Sequence, residues 1–301
     1  MRDEIKRSPL FYVGDKYKLM EEIRGHFPTS IGRLIEPFVG GGSVFMNTRA
    51  TSYLLNDIDP YVIELHRMLT SYRGRRRELY NELERIIRHY GLSYTYVEDV
   101  IPNELKEQHP KTYIARYNKD AYLRMRSDYN RSQERDPIHL YLLLIYGFNR
   151  MLRFNSRGDF NIPVGNVDFN SNTRKALDDY LDKVERSEIA WYALDYRAFF
   201  KEIEPQSDDL IYLDPPYLIT HSEYNKLWGE TEERELYLLL DDLCDKGIQW
   251  ALSNVAIYKG VENTTLTEWA SKYRSTSIKS NYISYHDNTI KKFDEVLITN
   301  Y

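Results

Sequence analysis

One stretch constrains the fold more than any other: an apolar run at residues 210–213 is followed by Asp214, Pro215, Pro216 and Tyr217. A short run of β-forming apolar residues predicts a buried parallel strand. Because prolines have no amide hydrogen to donate to a ladder, the strand is predicted to stop at Asp214. A carboxylate and an aromatic ring then lie at the carboxyl end of a strand, where open α/β sheets bind ligands. The loop suits a flat, amine-bearing ring, although an acidic turn after a core strand is the alternative interpretation.

A second ligand-binding pattern lies nearer the N-terminus. Residues 33–39 predict a short strand that runs into three glycines, and Ser43 is the expected cap of the helix that follows. Glycines let a backbone pass close to a ligand, and amides at a helix start favour an anionic group. About 17 residues past the first glycine a second strand ends in Asp57, a distance at which an acid commonly binds ribose hydroxyls. The pattern indicates a nucleoside-containing cofactor, and the absent G-x-G-x-x-G fingerprint weakens an NAD interpretation.

The rest of the chain alternates between strand and helix patterns. Asp59 and Pro60 predict the start of a helix that runs through residue 69. A strand at 189–196 carries an acid near its end, a helix at 232–246 is closed by a glycine, and strands follow at 248–253 and 293–299. This alternation predicts an α/β fold.

The charge is unevenly distributed. The 301-residue chain has a net charge of −5, yet residues 71–160 hold 17 Lys or Arg against 12 Asp or Glu. A basic lobe on an acidic scaffold would give this asymmetry, and so would a few solvated helix faces. The lobe is predicted to be helical, with an arginine cluster at 73–77 and a buried helix at 140–146.

After that helix, residues 148–164 predict a β-hairpin with Gly158 in its turn. Arginine, asparagine and aromatic residues crowd this hairpin. Arginine pairs with guanine and asparagine with adenine in the major groove, and an aromatic ring can fill the gap that a displaced base leaves.

Composition excludes some classes of protein. The single cysteine, Cys244, provides neither a disulfide framework nor a cysteine-based zinc site, so a cytoplasmic location is expected. The longest central apolar run is far too short to span a bilayer. The length is that of one large domain, or of a core with an insertion.

These motifs together resemble the DNA adenine-N6 methyltransferases of the Dam/DpnM type, the D12 class. The likeness rests on residues 38–42, 157–163 and 293–296, on the 214–217 tetrad, and on Asp57 and Asp195. The resemblance implies a Rossmann-like seven-stranded core, residues 1–62 and 166–301, that depends on S-adenosylmethionine and needs no metal. It also implies a mostly helical target-recognition insertion at 63–165.

The resemblance assigns the site residues as well. Catalysis is expected from Asp214, Pro215, Pro216 and Tyr217. The cofactor is expected on Tyr12, Lys16, Phe38, Val39, Gly40, Gly41, Gly42, Asp57, Asp195 and Tyr196, with Asp57 on its ribose and Asp195 near its adenine. DNA contacts are expected from Phe148, Asn149, Arg150, Met151, Arg153, Asn155, Arg157, Asn161 and Pro163.

Four positions depart from the family pattern. Tyr12 stands where tryptophan is usual, and Asp15 stands where Gly-Gly-Lys has its second glycine. Ile145 and Arg150 stand where GATC-modifying relatives have an arginine and a glycine. GATC is therefore only the default expectation for the recognition site.

The partners expected from the resemblance are duplex DNA and, for a modification enzyme, a cognate endonuclease. The chain is expected to be a monomer or a weak dimer. Two alternatives stay open: methylation of another exocyclic amine, such as cytosine N4 or RNA adenine, and a non-catalytic nucleic-acid-binding relative.

Overall fold

The centre of the protein is a twisted β-sheet. The computed structural model describes residues 4–220, 228–278 and 293–301. The polar sequence at 287–289 and the two lysines at 291 and 292, which we expect to form a loop before the last strand, lie outside the described residues. The strands are β1 (Arg33–Glu36), β2 (Ser52–Asn56), β3 (Glu188–Tyr192), β4 (Leu210–Leu213), β5 (Gln249–Tyr258), β6 (Val261–Glu262), β7 (Arg274–Ile278) and β8 (Phe293–Thr299).

The strands run in the order β3-β2-β1-β4-β5-β8-β7, and the two-residue β6 pairs with the end of β5. The first five strands of this order are parallel, whereas β8 is antiparallel to both of its neighbours. This confirms the predicted seven-stranded sheet, to which β6 adds a short eighth strand. The chain order reverses between β1 and β4, and the loops after these two strands share one edge, where doubly wound sheets bind ligands.

Helices cover both faces of the sheet. They are α1 (Met20–Arg24), α2 (Ser43–Asn47), α3 (Pro60–Ser71), α4 (Arg76–Tyr90), α5 (Asn103–Gln108), α6 (Tyr113–Arg131), α7 (Pro137–Tyr146), α8 (Ser171–Glu185), α9 (Tyr196–Glu202), α10 (Glu230–Asp245) and α11 (Thr264–Ala270). The helix predicted from Asp59 is confirmed, because the Asp59 side chain accepts a hydrogen bond from the Tyr61 amide, and the helix runs two residues beyond the predicted end.

Side chains of alternate residues point to opposite sides of the sheet. Because helices cover both sides, the central strands carry apolar side chains on both faces. Leu210 and Tyr212 pack in a cluster with the apolar faces of α3, α4, α7 and α8. Ile211 and Leu213 pack in a second cluster with α9, α10 and α11. Both clusters hold β4 rigid up to the residue before Asp214, where the strand ends as predicted.

The helices α4 to α7 form the predicted helical lobe. In α7, residues 140–146 are each at most 1% exposed, so the predicted buried helix is confirmed and Ile145 is a core residue. The arginine cluster is partly used inside the protein, since Arg73 donates to the Ser187 carbonyl and Arg76 pairs with acids of α8. The expected domain boundary at residue 63 falls within α3, and the division into core and insertion stays a prediction.

The hairpin after α7 is less regular than predicted. Its two arms are joined by isolated bridges, Gly147 to Val164 and Phe154 to Phe160, so the expected pair of strands is wrong although the antiparallel course is present. Asn149 and Arg150 have positive φ angles of 51° and 50° and interrupt the extended backbone. Gly158 occupies the turn with φ 79°, as predicted. Among the described residues, no helix combines the length and apolarity needed to cross a membrane.

Candidate active site

A cavity of about 450 Å³ opens at the edge of the sheet beside the ends of β1, β2 and β4. It brings together the tetrad after β4, the glycine loop after β1 and the segment around Lys16. The residues that line it include Tyr12, Lys16, Phe38, Val39, Gly40, Gly41, Asp57, Asp214, Pro215, Pro216 and Tyr217. Of the expected catalytic and cofactor residues, Gly42, Asp195 and Tyr196 are outside this lining.

The glycine loop is built by backbone geometry that other residues tolerate poorly. Gly40 and Gly42 have φ angles of 47° and 76°, in the left-handed region. A Cβ on Gly41 would lie 2.6 Å from the Cβ of Tyr12, so the loop has no room for a side chain there. The predicted cap is wrong: Gly42 is the N-cap of α2, and Ser43 is the first helical residue. The buried Ser43 hydroxyl has no hydrogen-bond partner among the described residues.

Asp57 holds the glycine loop against the end of β2. Its carboxylate accepts hydrogen bonds from the amides of Gly40, at 2.9 Å, and Asp59, at 3.0 Å. Burial raises the pKa of Asp57 to about 6, because desolvation outweighs these hydrogen bonds. The remaining lone pairs of this carboxylate are available to a ligand hydroxyl.

His66 supports the loop from behind. Its Nε2 lies 2.9 Å from the Gly40 carbonyl and its Nδ1 lies 2.8 Å from the Tyr180 hydroxyl. A carbonyl only accepts, so Nε2 carries the hydrogen and Nδ1 accepts from Tyr180. Burial lowers the pKa of His66 to about 4, which keeps the ring neutral. The sequence analysis missed this residue, because its helical spacing is that of an ordinary core position.

Lys16, which follows the glycine turn at residue 14, contacts two residues of the 214–217 tetrad. Its ammonium lies 2.8 Å from the Asp214 carboxylate and 2.6 Å from the Tyr217 hydroxyl, which in turn donates to Asp214 over 2.6 Å. The Lys16 side chain is 6% exposed. Asp214 is therefore held by two donors, and both oxygens keep a lone pair for a further hydrogen bond.

A second acid completes this group. Glu295, on β8, places Oε1 3.4 Å from both the Lys16 ammonium and the Tyr217 hydroxyl. Its other oxygen, Oε2, is buried and has no hydrogen-bond partner within the described structure. Burial raises the pKa of Glu295. In the sequence, Glu295 stands out only as part of the motif at 293–296, because nothing local marks it as a neighbour of residues 16 and 217.

An aromatic group borders the cavity beside Phe38. The rings of Phe38, Tyr196 and Trp228 lie 5.5 to 5.9 Å apart between centroids. Asp195 caps α9 through the Arg197 amide and also pairs with the Arg197 guanidinium at 3.2 Å. Asp15, which also lines the cavity, has one buried carboxylate oxygen without a partner in the described part of the chain, and burial raises the pKa of Asp15.

Some of the hairpin residues that are expected to contact DNA are exposed, and others form hydrogen bonds within the protein. Phe148 is 50% exposed, and Asn149, Arg157 and Pro163 are exposed beside it or nearer the turn. Met151 is partly buried against the core. Asn155 accepts from the amides of the turn at residues 157 and 159.

Arg153 and Arg150 are both engaged inside the protein. Arg153 donates from Nε to the Asn161 side chain across the hairpin, at 2.9 Å. The Arg150 guanidinium lies 3.5 Å from the centroid of the Phe11 ring and donates to Thr173 at 3.3 Å. Burial lowers the pKa of Arg150 to about 10. Arg150 is only partly exposed, and its expected contact with DNA stays a prediction.

Residues outside the hairpin fix it to the lobe. Asn130 of α6 both donates to the Phe160 carbonyl and accepts from the Phe160 amide, at 2.9 Å each. Tyr61 of α3 stacks on Phe154 with ring centroids 3.8 Å apart. These anchors were missed, because a long-range contact leaves no mark on local sequence.

Comparison with known proteins agrees with this geometry. A family model described as D12 class N6 adenine-specific DNA methyltransferase matches residues 12–283. The chain is 33% identical over 305 residues to the type II methyltransferase M.FokI of Planomicrobium okeanokoites, covering 98% of this chain and 43% of that protein. It is 33% identical over 309 residues to the modification methylase StsI of Streptococcus sanguinis, again covering 98% and 43%.

A DNA adenine methylase of Escherichia coli is 28% identical over 309 residues, which cover 97% of this chain and 94% of that protein. The chain thus spans less than half the length of the first two relatives and nearly all of the third. The tetrad and the glycine loop lie inside the matched range and share one cavity. The chain belongs to the D12 class of N6 adenine-specific DNA methyltransferases.

Proposed function

We propose that the protein transfers a methyl group from S-adenosylmethionine to the N6 amine of an adenine that is flipped out of duplex DNA. One observation carries this proposal: Asp214 and Tyr217 lie at the end of a buried strand, in the same cavity as a glycine loop and Asp57. The tetrad suits an amine-bearing ring and the loop suits a nucleoside, so one cavity can hold both reactants.

The cavity fits this cofactor in shape and charge. Gly40 and Gly41 have no side chains and so present only backbone to a ligand, and Tyr12 packs against them. The lining contains acids that outnumber Lys16, which suits a ligand with a sulfonium and an ammonium group: Asp15, Glu36, Asp57, Asp59, Asp214 and Glu295. Asp57 would hold the ribose and the aromatic ring of Phe38 would contact the adenine. When bound, S-adenosylmethionine supplies an electrophilic methyl group.

The residues of the tetrad would activate the target amine. The lone pair of the adenine amine is delocalised into the ring, which makes the amine a weak nucleophile. Asp214 and the Pro215 carbonyl would accept its two hydrogens and favour a pyramidal nitrogen with a localised lone pair. Tyr217 would fix the ring so that the lone pair points at the methyl group, an effect of orientation as well as of charge.

The hairpin would read the DNA. Its exposed tip and base, with Phe148 and Asn149, stand clear of the core, and Arg153 is held in place by Asn161. Flipping the target base costs roughly a few kcal/mol, and an inserted side chain can fill the gap. We propose Phe148, Asn149, Met151, Arg153, Asn155, Arg157, Asn161 and Pro163 as DNA contacts, and Arg150 as a support beneath them. GATC remains the default site.

The name of the StsI relative, a modification methylase, supports a role in restriction–modification. We propose a cognate endonuclease as the partner in that role. A monomer or weak dimer and a cytoplasmic location stay predictions, the latter from the single cysteine.

The test is methyl transfer from labelled S-adenosylmethionine to duplex DNA, RNA and protein in parallel. We expect label in DNA alone, and sequencing of modified bases in DNA from cells that express the chain should place it on adenine within one short site. Label on cytosine or in RNA would favour the other exocyclic amines. Binding of DNA without any transfer would favour the non-catalytic alternative.

A further inference from the structure

We propose that Glu295 is the final acceptor of the proton that the adenine amine loses on methylation. This rests on the proposed function and assigns a role to a buried acid that the scheme above does not use. The proton would reach Glu295 through Asp214 and the Tyr217 hydroxyl.

The geometry supplies a continuous path. Tyr217 lies 2.6 Å from Asp214 and 3.4 Å from Glu295, so one hydroxyl is within hydrogen-bonding reach of both acids. Lys16 contacts the same two acids, at 2.8 and 3.4 Å. Glu295 is 2% exposed, and its unpartnered Oε2 leaves it free to carry a proton without losing a hydrogen bond there.

The charges favour a proton on Glu295 rather than on Asp214 after the reaction. Among the described residues, two ionised carboxylates share the ammonium of Lys16, which leaves one negative charge in excess within this group. In the part of the chain that the structure describes, the charged and titratable groups around Glu295 are Lys16, Asp214, Tyr212 and Tyr217, with Glu36 next to Asp214. Lys16 lies closer to Asp214 than to Glu295, so it stabilises the Asp214 carboxylate more.

Burial provides independent support. Desolvation and the nearby Asp214 raise the pKa of Glu295, whereas Lys16 lowers it. A general base accepts a proton most effectively when its pKa lies near the pH at which the enzyme works. An ordinary exposed glutamate would hold the proton less well.

The step balances as follows. The bond from N6 to the methyl carbon forms as the bond from that carbon to sulfur breaks, and N6 becomes positively charged. One N6 proton passes to Asp214, and the Tyr217 hydroxyl turns from Asp214 to donate to Glu295. The proton on Asp214 then passes to the Tyr217 oxygen as the Tyr217 proton passes to Glu295. Asp214 is ionised and Tyr217 is neutral at the end, and Glu295 releases its proton to solvent between turnovers.

The test is the single-turnover rate of Glu295→Gln across pH, with the affinities for DNA and S-adenosylmethionine measured alongside. Glutamine keeps the shape and can still accept from Tyr217, yet it cannot take a proton. We expect the rate at neutral pH to fall by about 100-fold, with both affinities unchanged. The decline of the wild-type rate at low pH, where Glu295 is already protonated, should disappear.

Two further variants sharpen the result. Glu295→Asp keeps the acid and should recover part of the rate, and Glu268→Gln makes the same change at an exposed position of α11 and should behave as wild type. If Glu295→Gln is slow but keeps the wild-type pH profile, or is as fast as wild type, Glu295 only holds Lys16 and the proposal is wrong.

A second readout needs no turnover. In ligand-free wild-type protein with ¹³C-labelled glutamate, one carboxyl resonance that is missing from Glu295→Gln should titrate above the usual range for glutamate. Titration in or below that range would overturn the proposal. If wild-type protein gives this titration but leaves DNA adenine unmethylated, the proposed function is wrong instead. The adenine amine would then not be the proton donor.

Discussion

At the scale of single residues, we expect methyl transfer to be most sensitive to substitution of Asp214, because Asp214 lies between the donors Lys16 and Tyr217 and the proposed amine. Asp214→Ala should abolish methyl transfer and leave the affinities for cofactor and DNA within about tenfold, because its contact with the amine matters mainly in the transition state. Asp245→Ala, on the exposed end of α10, is the matched control. Wild-type turnover by Asp214→Ala would exclude Asp214 from the chemistry.

Gly40 tests the cofactor loop at the same scale. In Gly40→Ala the new Cβ would lie 3.3 Å from the Tyr12 ring, at a φ of 47° that side chains adopt with strain. Such strain costs about 1–2 kcal/mol, and a shift of the loop or of Tyr12 that relieved the strain and the contact would move the cavity wall. We therefore expect the dissociation constant for S-adenosylmethionine to rise by about tenfold in calorimetry. Gly74→Ala carries a similar strain, at φ 69°, with open space around it, and should not alter this affinity. Equal affinity in the two variants would place the cofactor elsewhere.

At the scale of elements, the proposed role of the hairpin depends on whether Arg153 reads base sequence or only binds phosphate. Arg153→Ala should lower methylation of the true site more than that of sites altered at one base, because a bidentate arginine–guanine pair discriminates by about 1–3 kcal/mol. A matched loss on all sites, with a weaker salt dependence, would identify Arg153 as a phosphate contact. The measurement is the rate on a panel of duplexes that differ at single positions, at two salt concentrations.

Sequence predicted the elements whose ends are determined by local chemistry. The stop after β4, the cap at Asp59 and the turn at Gly158 each follow from a residue's own backbone or side chain. The hairpin strands failed because Asn149 and Arg150 take positive φ angles that interrupt the extended backbone, and Arg150 is held there by a tertiary contact with Phe11. Neither those contacts nor the meeting of Lys16 with Glu295 could be predicted, because the strand order brings them together from distant parts of the chain.

At the scale of the whole molecule, His66 couples the glycine loop to α8 and makes the stability of the fold depend on pH. Its folded pKa of about 4 lies below the ordinary value of 6.5, so the unfolded chain binds more protons between these values. The free energy of unfolding should therefore fall as the pH drops from 6.5 to 4, by up to about 3 kcal/mol. The raised pKa of Asp57 acts in the opposite sense between 3.8 and about 6.

A comparison of variants isolates the contribution of His66. His66→Gln can still donate to the Gly40 carbonyl but cannot titrate, so its stability should fall less in this pH range than that of wild type. The measurement is denaturant unfolding at a series of pH values. His89→Gln, on an exposed position of α4, should follow wild type. Identical slopes for wild type and His66→Gln would show that His66 is not the residue responsible.

The strand order has a consequence for how the chain is made. The parallel neighbours β2 and β3 are separated by the entire helical lobe, and so are β1 and β4. At a synthesis rate of roughly 5–20 residues per second, β2 waits on the order of ten seconds for its partner to leave the ribosome. The helices α4 to α7 rely on local contacts and can form during that wait, whereas the sheet must close a long loop. The lobe that is proposed to hold DNA can therefore fold before the sheet is complete. The catalytic cavity is completed last, when β8 brings Glu295 to Lys16.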